Sequence, residues 1–242
     1  MVAGAKSFMF AAIIIACFWT NLTAMTTHHY KEIAAIRKDY SLRSLDINDV
    51  NPNPILQFQH WLDEAIKSEV HEPTAMNLAT VSVEGRPSGR ILLLKGVDRG
   101  FVFFTNYNSR KGHDLNQNAA AAMTFFWPEL ERQVRVEGFM ERVSAQESDE
   151  YFHSRPRMSR LGAWASSQSQ PIEDRSVIER RISELLAQYG EEEPLPRPEG
   201  WGGYRLMADR LEFWQGRPSR LHDRIAYTLQ PAENWKIERL SP

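Results

Sequence analysis

Four short segments of this sequence combine cationic, hydroxyl and aromatic side chains at spacings that suit phosphate chemistry. Tyr151-Phe-His-Ser-Arg155-Pro-Arg157-Met-Ser159-Arg160 puts Tyr151 and Arg155 on one helix face at i, i+4. Pro156 then turns the chain, which can bring Ser159 back to that face. A guanidinium fork with tyrosine and serine hydroxyls is a donor set for a phosphate; a surface basic patch is the other reading. Asn106-Tyr-Asn-Ser109-Arg110-Lys111 offers Ser109 as a helix cap with two cations in the first turn. Cations there oppose the helix dipole and fit best where an anion is bound, although a solvated helix start has the same composition.

The other two segments read as extended. In Arg90-Ile-Leu-Leu-Leu-Lys95, four apolar residues in a row predict a strand buried on both faces. Cations bracketing such a strand are costly unless paired. In a regular strand they point to opposite faces ~16 Å apart, or each reaches solvent at a strand end. In Arg220-Leu-His222-Asp-Arg224, period two places Arg220, His222 and Arg224 on one face, with Leu221 and Ile225 on the other. These groups repel unless they meet an anion, an electron-rich ligand or a ladder of carboxylates. Together the four segments point to one or more phosphorylated ligands.

Other chemistries lack their residues. There is no G-x-G-x-x-G, no G-x-x-x-x-G-K-[ST] and no G-x-S-x-G. The seven histidines are scattered without ligand spacing, so no protein metal site is expected. The single cysteine, Cys17, excludes an intramolecular disulfide framework. The net charge of −2 provides no global basic field for nucleic acid.

The elements that must position these segments are legible in outline. A chain of 242 residues, 42% hydrophobic and 11% aromatic, suffices for one large domain or two small ones and is not disordered. A helical pattern is expected from Tyr30 to Tyr40. A second helix starts at Asn53-Pro54, cap and proline at the first helical position, and ends near Glu69. Strands are expected at Ala75–Val83, Arg90–Lys95, Phe101–Thr105, Ala121–Trp127 and Val134–Val143, with a short helix over Ser109–Gln117. Ser144 and Glu147 form a capping box for a helix from Ala145 to Arg155, stopped by Pro156. A further helix spans Asp174–Tyr189, followed by a Pro/Gly/Glu loop over Glu191–Gly203. Strands at Gly203–Met207, Arg210–Gln215, Ile225–Thr228 and Trp235–Leu240 close the list. Short connections favour antiparallel neighbours. The class is therefore mainly β with helical additions, as an antiparallel barrel.

Phe8 to Trp19 is an uncharged apolar run preceded by Lys6, too short for a stable membrane span. Residues 1–24 read as a doubtful leader: a signal peptide or anchor, a packed helix, or residues upstream of a true start at Met25. Cytoplasmic localisation is expected, with export as the alternative if the leader is a genuine signal.

The motifs resemble one family. Besides the four segments, these are Leu130-Glu-Arg-Gln133-Val, Gly162-Ala-Trp-Ala-Ser-Ser-Gln168-Ser169, Phe213-Trp214-Gln215-Gly216 and the closing Trp235-Lys-Ile-Glu-Arg-Leu-Ser-Pro242. From about Ile33 to Pro242 the chain is similar to the pyridoxamine 5′-phosphate oxidase family. The resemblance implies an FMN-binding split β-barrel, a homodimer with FMN in clefts at the subunit interface. It implies oxidation of pyridoxamine or pyridoxine 5′-phosphate to pyridoxal 5′-phosphate, with O2 as acceptor and H2O2 as product. A binding module without turnover, or a related flavoprotein with another substrate, would use the same barrel.

Carried over by motif, Arg90, Lys111 and Ser169, with Arg110 and Gln168, would hold the FMN phosphate and ribityl region. The backbone of Ile91, Leu92, Leu93 and Leu94, together with Phe104 and Thr105, would line the flavin. The family usually has Tyr-Thr at that last pair, so a hydroxyl is lost at Phe104. Gln133, Trp214 and Arg224 would flank the isoalloxazine. Lys95, Tyr151, Arg155 and Ser159 resemble the substrate-phosphate set. Arg220 and His222, with Leu221 between them, resemble the catalytic residues above the pyridine ring. Arg37 and Tyr40 resemble a lid within an N-terminal arm over residues 25–52, ahead of a catalytic domain at 53–242.

Overall fold

The computed structural model describes residues 33, 35–190 and 194–242. The chain divides after Tyr40 into two units, Met1–Tyr40 and Ser41–Pro242. In the first, Ile33 and Ala35 are helical but Ile36 to Tyr40 are not, so the expected helix does not reach Tyr40. The apolar run Phe8–Trp19 and the leader question lie outside the described residues. Among the described residues no helix is long and apolar enough to cross a membrane.

The described residues of the second unit form a half-barrel built on one antiparallel sheet of nine strands. These are β1 (Ala75–Val81), β2 (Pro87–Leu93), β3 (Gly96–Val97), β4 (Phe101–Asn106), β5 (Ala120–Trp127), β6 (Arg132–Arg142), β7 (Trp201–Gln215), β8 (Asp223–Leu229) and β9 (Trp235–Leu240). The order is β2-β1-β5-β6-β7-β4-β3, with β8 on β7 and β9 on β8. The two ends of that path, β2 and β3, are consecutive in the chain. Only Leu94 and Lys95 separate them: the Leu94 amide donates to Thr74 O and the Lys95 amide to Val102 O. The link thus joins the β1 side of the sheet to the β4 side.

Among the described residues, five α-helices complete the unit: α1 (Pro54–Lys67), α2 (Arg110–Gln117), α3 (Ala145–Ser154), α4 (Arg157–Ala165) and α5 (Ser176–Tyr189). The Asn53 side chain accepts from the amides of Ile55 and Leu56, fixing the start of α1. Phe58 and Trp61 of α1 enter the core, where Phe58 meets Phe101 and Phe125, each at a 4.8 Å ring separation. A smaller cluster of Phe152, Leu161, Leu195 and Trp201 seats α3 and α4 against the start of β7. The capping box of α3 forms as the sequence predicts.

Several expectations need correction. Strand β2 is not buried on both faces. It is an end of the strand path, and Ile91 is 67% exposed. Lys95 lies beyond the strand rather than on its opposite face. Arg220, His222 and Arg224 do not share an extended face. Pro218–Arg220 is a tight turn with Ser219 at φ 56° and Arg220 at φ 62°, and β8 begins only at Asp223. One expectation beside these holds: α3 stops at Ser154 with Arg155 extended ahead of Pro156, and α4 then starts from Pro156, a place that needs no amide donor. The loop assigned to Glu191–Gly203 yields at Trp201, where β7 starts. That strand absorbs both Gly203–Met207 and Arg210–Gln215.

The two halves of β7 are joined through a bulge. Glu137 pairs with Arg210 and Gly138 with Ala208, leaving Asp209 as the extra residue. Gly138 is required there, because a Cβ would lie 2.0 Å from Met207 O.

Candidate active site

A cleft of ≈ 480 Å³ opens where the β2–β3 link, β4, α3 and α4 meet. Leu92 and Leu93 come to it from β2, Lys95 from the link, and Phe104 and Thr105 from β4. Tyr151 and Arg155 come from α3 and its end, Ser159 from α4, and Gln168 from the segment after α4. Tyr151 and Arg155 are one helical turn apart, and the restart at Pro156 returns Ser159 to their side. The spacing therefore does what the sequence expects of it.

An aromatic slab forms the back of this cleft. The Phe104 ring lies 4.0 Å from that of Tyr151 and 5.7 Å from that of Trp201, with interplanar angles of 17° and 13°. Gly203 lets Phe104 lie flat, since a Cβ there would come within 2.7 Å of the ring. The Arg155 guanidinium sits 4.7 Å from the Trp201 ring centre. Its Nη1 is buried and has no hydrogen-bond partner among the described residues. Burial pulls the Arg155 pKa down and pushes the Tyr151 pKa up. An anion arriving here would supply the acceptor that Nη1 lacks.

A second cationic group adjoins the first through Thr105 and Gln168. Ser109 caps α2, and the buried Lys111 Nζ donates to Gln168 Oε1 at 2.7 Å, Ser109 Oγ at 3.1 Å and Thr105 Oγ1 at 3.2 Å. Burial first, and the Arg90 charge second, lower the Lys111 pKa to about 8. Arg90 donates to Ser88 Oγ at 2.7 Å, Thr80 Oγ1 at 2.8 Å and Leu78 O at 3.1 Å. Arg110 is exposed beside them, and Ser169 takes φ 70° just after Gln168.

A third group lies on β6, β7 and β8. Gln133 pairs with Trp214, and Trp214 with Arg224, in one cross-strand row. Arg224 is held by the buried Glu212 carboxylate at 2.8 and 3.0 Å, which raises its pKa. The His222 ring packs 4.6 Å from Trp214, and its Nδ1 accepts from the Arg217 amide at 3.1 Å. That bond leaves Nε2 to carry any proton on the neutral ring. Burial and the Arg220 charge lower the His222 pKa. Leu221 is 68% exposed. None of Gln133, Trp214, Arg220, His222 and Arg224 lines the cleft. Arg37 and Tyr40 belong to the other unit.

Residues 62–189 match the family model described as pyridoxamine 5′-phosphate oxidase. Residues 201–242 match a second, the pyridoxine 5′-phosphate oxidase C-terminal dimerisation region. The chain belongs to the pyridoxamine 5′-phosphate oxidase family. It is 59% identical over 211 residues to the pyridoxine/pyridoxamine 5′-phosphate oxidase of Paraburkholderia phymatum, covering 87% of this chain and 99% of that one. The pyridoxine/pyridoxamine 5′-phosphate oxidase 1 of Ralstonia nicotianae matches to the same extent. Among solved structures, PhzG from Burkholderia lata, in complex with tetrahydrophenazine-1-carboxylic acid, superposes with a TM-score of 0.78 at 32% identity. That match covers 85% of this chain and all of that one. An FMN-binding protein from Nostoc punctiforme shares the fold, with a TM-score of 0.63 at 18% identity, over 80% of this chain and all of that one. Membership makes the protein an oxidoreductase, and its third group, Trp214 to Arg224, falls within the family's dimerisation region.

Sequence reading missed four residues of these groups. Trp201 was hidden at the end of a Pro/Gly/Glu stretch. Asn106, which also lines the cleft, opens the segment that carries Ser109, Arg110 and Lys111 but has no role of its own in the sequence reading. Thr80, and Asp114, which accepts from the Thr80 hydroxyl at 2.7 Å, carry no motif. Alternation along β1 and the position of Asp114 three residues after Lys111 were the only signals available for them.

Proposed function

We propose that the protein oxidises pyridoxamine 5′-phosphate or pyridoxine 5′-phosphate to pyridoxal 5′-phosphate, with FMN as cofactor, O2 as electron acceptor and H2O2 as product. The observation that carries this reading is the convergence of Lys95, Tyr151, Arg155 and Ser159 on one cleft, with Arg155 Nη1 buried and lacking a partner. That donor set suits a phosphate on the substrate. A second set, Arg90 and Lys111 with Arg110, Gln168 and Ser169, suits the phosphate of FMN, so the residues fit the cofactor. When bound, FMN would supply the two-electron acceptor for the substrate's C4′–H bond and pass those electrons to O2.

The chain's own residues would bind and orient. Lys95 and Arg155 would neutralise the substrate phosphate, while Tyr151 and Ser159 donate to it. The Ile91–Leu94 backbone and Phe104-Thr105 would line the flavin, with Gln133, Trp214 and Arg224 flanking its ring system. Arg220 and His222 would hold the pyridine ring so that C4′ faces the acceptor, since misplacement there costs rate. From the amine substrate, water would add to the C4′ imine and release ammonia. Arg37 and Tyr40 would cover the substrate as part of an N-terminal lid.

The groups on α3 and on Trp214–Arg224 do not share the cleft of one chain, and the second lies in a dimerisation region. We therefore assign the working unit as a homodimer in which the two subunits complete each site. Light scattering on FMN-loaded protein should give twice the chain mass. Anaerobic addition of pyridoxamine 5′-phosphate to FMN-loaded protein should bleach the flavin absorbance, and air should restore it with release of pyridoxal 5′-phosphate. A flavin that stays oxidised would refute turnover and leave only binding.

A further inference from the structure

Thr80 of β1 is fully buried, and its hydroxyl has two charged partners. It donates to Asp114 Oδ2 at 2.7 Å and accepts from Arg90 Nη1 at 2.8 Å. Asp114 is itself buried, on α2 three residues after Lys111, and lies 3.9 Å from Arg90 Nη2. The pair therefore ties β1 and β2 to the helix that carries Lys111. A buried carboxylate and a buried hydroxyl are costly inside a core unless each is satisfied. Here each is satisfied by the other and by Arg90.

The charges also balance in a telling way. Burial lowers the Arg90 pKa, the Asp114 charge opposing that shift and the Arg110 charge adding to it; burial and then the Arg90 charge lower that of Lys111. Asp114 offsets one of the three. The remainder matches a phosphate monoester dianion. Arg90 has further acceptors in Leu78 O and Ser88 Oγ, but both belong to the paired strands β1 and β2. Among the described residues, the hydrogen-bonded route from its guanidinium to α2 runs through the Thr80 hydroxyl; Asp114 meets the guanidinium directly only at ion-pair distance, 3.9 Å.

From this geometry we infer that Thr80, with its hydroxyl oriented by Asp114, is a positioning residue that aims the Arg90 guanidinium at the same point as Lys111, making the two a phosphate clamp. The inference deepens the reading of Arg90 and Lys111 as holders of the FMN phosphate and rests on it. Thr80 touches neither the cofactor nor the substrate in this account. Its effect passes through Arg90, and only the part of the ligand that Arg90 meets should register its loss.

FMN and riboflavin, which differ by that phosphate, separate the possibilities. Binding of each to the apoprotein is measured by quenching of flavin fluorescence. The wild type should bind FMN much more tightly than riboflavin. Thr80→Val keeps the side-chain volume and removes both hydrogen bonds. It should weaken FMN about tenfold, the equivalent of ~1.4 kcal/mol, and leave riboflavin affinity unchanged. Thr80→Ser restores the hydroxyl and should restore FMN affinity to within about twofold. If Thr80→Val does not give folded apoprotein, judged by riboflavin binding, Thr80→Ala carries the same expectation. Unchanged FMN affinity in the hydroxyl-less variant overturns the inference, as does an equal loss for both flavins, which would indicate general packing. A wild type that does not distinguish FMN from riboflavin overturns the phosphate assignment of Arg90 and Lys111 itself.

Discussion

The rings of Phe104 and Tyr151 lie face to face, 4.0 Å apart and 17° from parallel. Tyr151 thus owes its place in the cleft to a strand residue as well as to its own helix. An aromatic pair of this kind is worth about 0.5–1.5 kcal/mol beyond its buried area. Phe104→Leu should therefore raise KM for pyridoxamine 5′-phosphate by about two- to tenfold and change kcat less. Steady-state kinetics on FMN-saturated enzyme checks this. A drop in kcat alone would place Phe104 at the reacting end rather than at the phosphate.

Arg155 should act on a part of the substrate whose charge is the same in ground and transition states, so its contribution is uniform binding. Loss of a hydrogen bond to a charged group costs about 1.5–3 kcal/mol. Arg155→Met should raise KM by roughly 10- to 150-fold with a smaller fall in kcat. A control is at hand in pyridoxamine without its phosphate, for which the variant and the wild type should be equally poor.

Arg220 should behave in the opposite way, because holding C4′ against the acceptor is a requirement of the transition state. Arg220→Met should lower kcat while FMN stays bound. Single-turnover flavin reduction at saturating substrate reads that step directly. A wild-type rate there would show that Arg220 does not position the reacting end.

Lys111 gives a pH dependence with a defined sign. Its pKa in the phosphate-free protein is lowered to about 8 by burial and by Arg90. A phosphate favours the charged ammonium, so binding above that pH must take up a proton. FMN affinity should be flat from about pH 7 to 8 and then fall with rising pH, by up to about tenfold per unit. Lys111→Met should bind FMN weakly and lose the slope. A wild-type profile flat to pH 10 would contradict the assignment.

The sequence foretold what is local and missed what depends on distant partners. Asn53-Pro54 and Ser144 with Glu147 mark helix starts because a cap needs only the next few residues. Tyr151, Arg155 and Ser159 were readable as one set for the same reason: a helical turn and a proline restart are short-range geometry. The burial of β2 was misread, because four apolar residues cannot reveal that their strand ends the path of the sheet. The Arg220 turn was misread because period two assumes extended backbone, and residues 219 and 220 both take positive φ. Thr80 and Asp114 meet across 34 positions, and no local pattern could have paired them.

The extra residue Asp209 sets the parity of everything that follows it in β7. With it in place, Phe213 is buried in the core, and Trp214 pairs with Gln133 and Arg224 on the neighbouring strands. Side chains alternate along a strand, so removing one residue upstream would exchange the two sets. Trp214 would be driven inward and Phe213 outward, with Arg224 left beside the wrong neighbour. The bulge at Glu137 and Gly138 thus works as a half-step in the weave: it lets one continuous strand brace the Tyr151 side of the cleft with its first half and present the Trp214 row with its second.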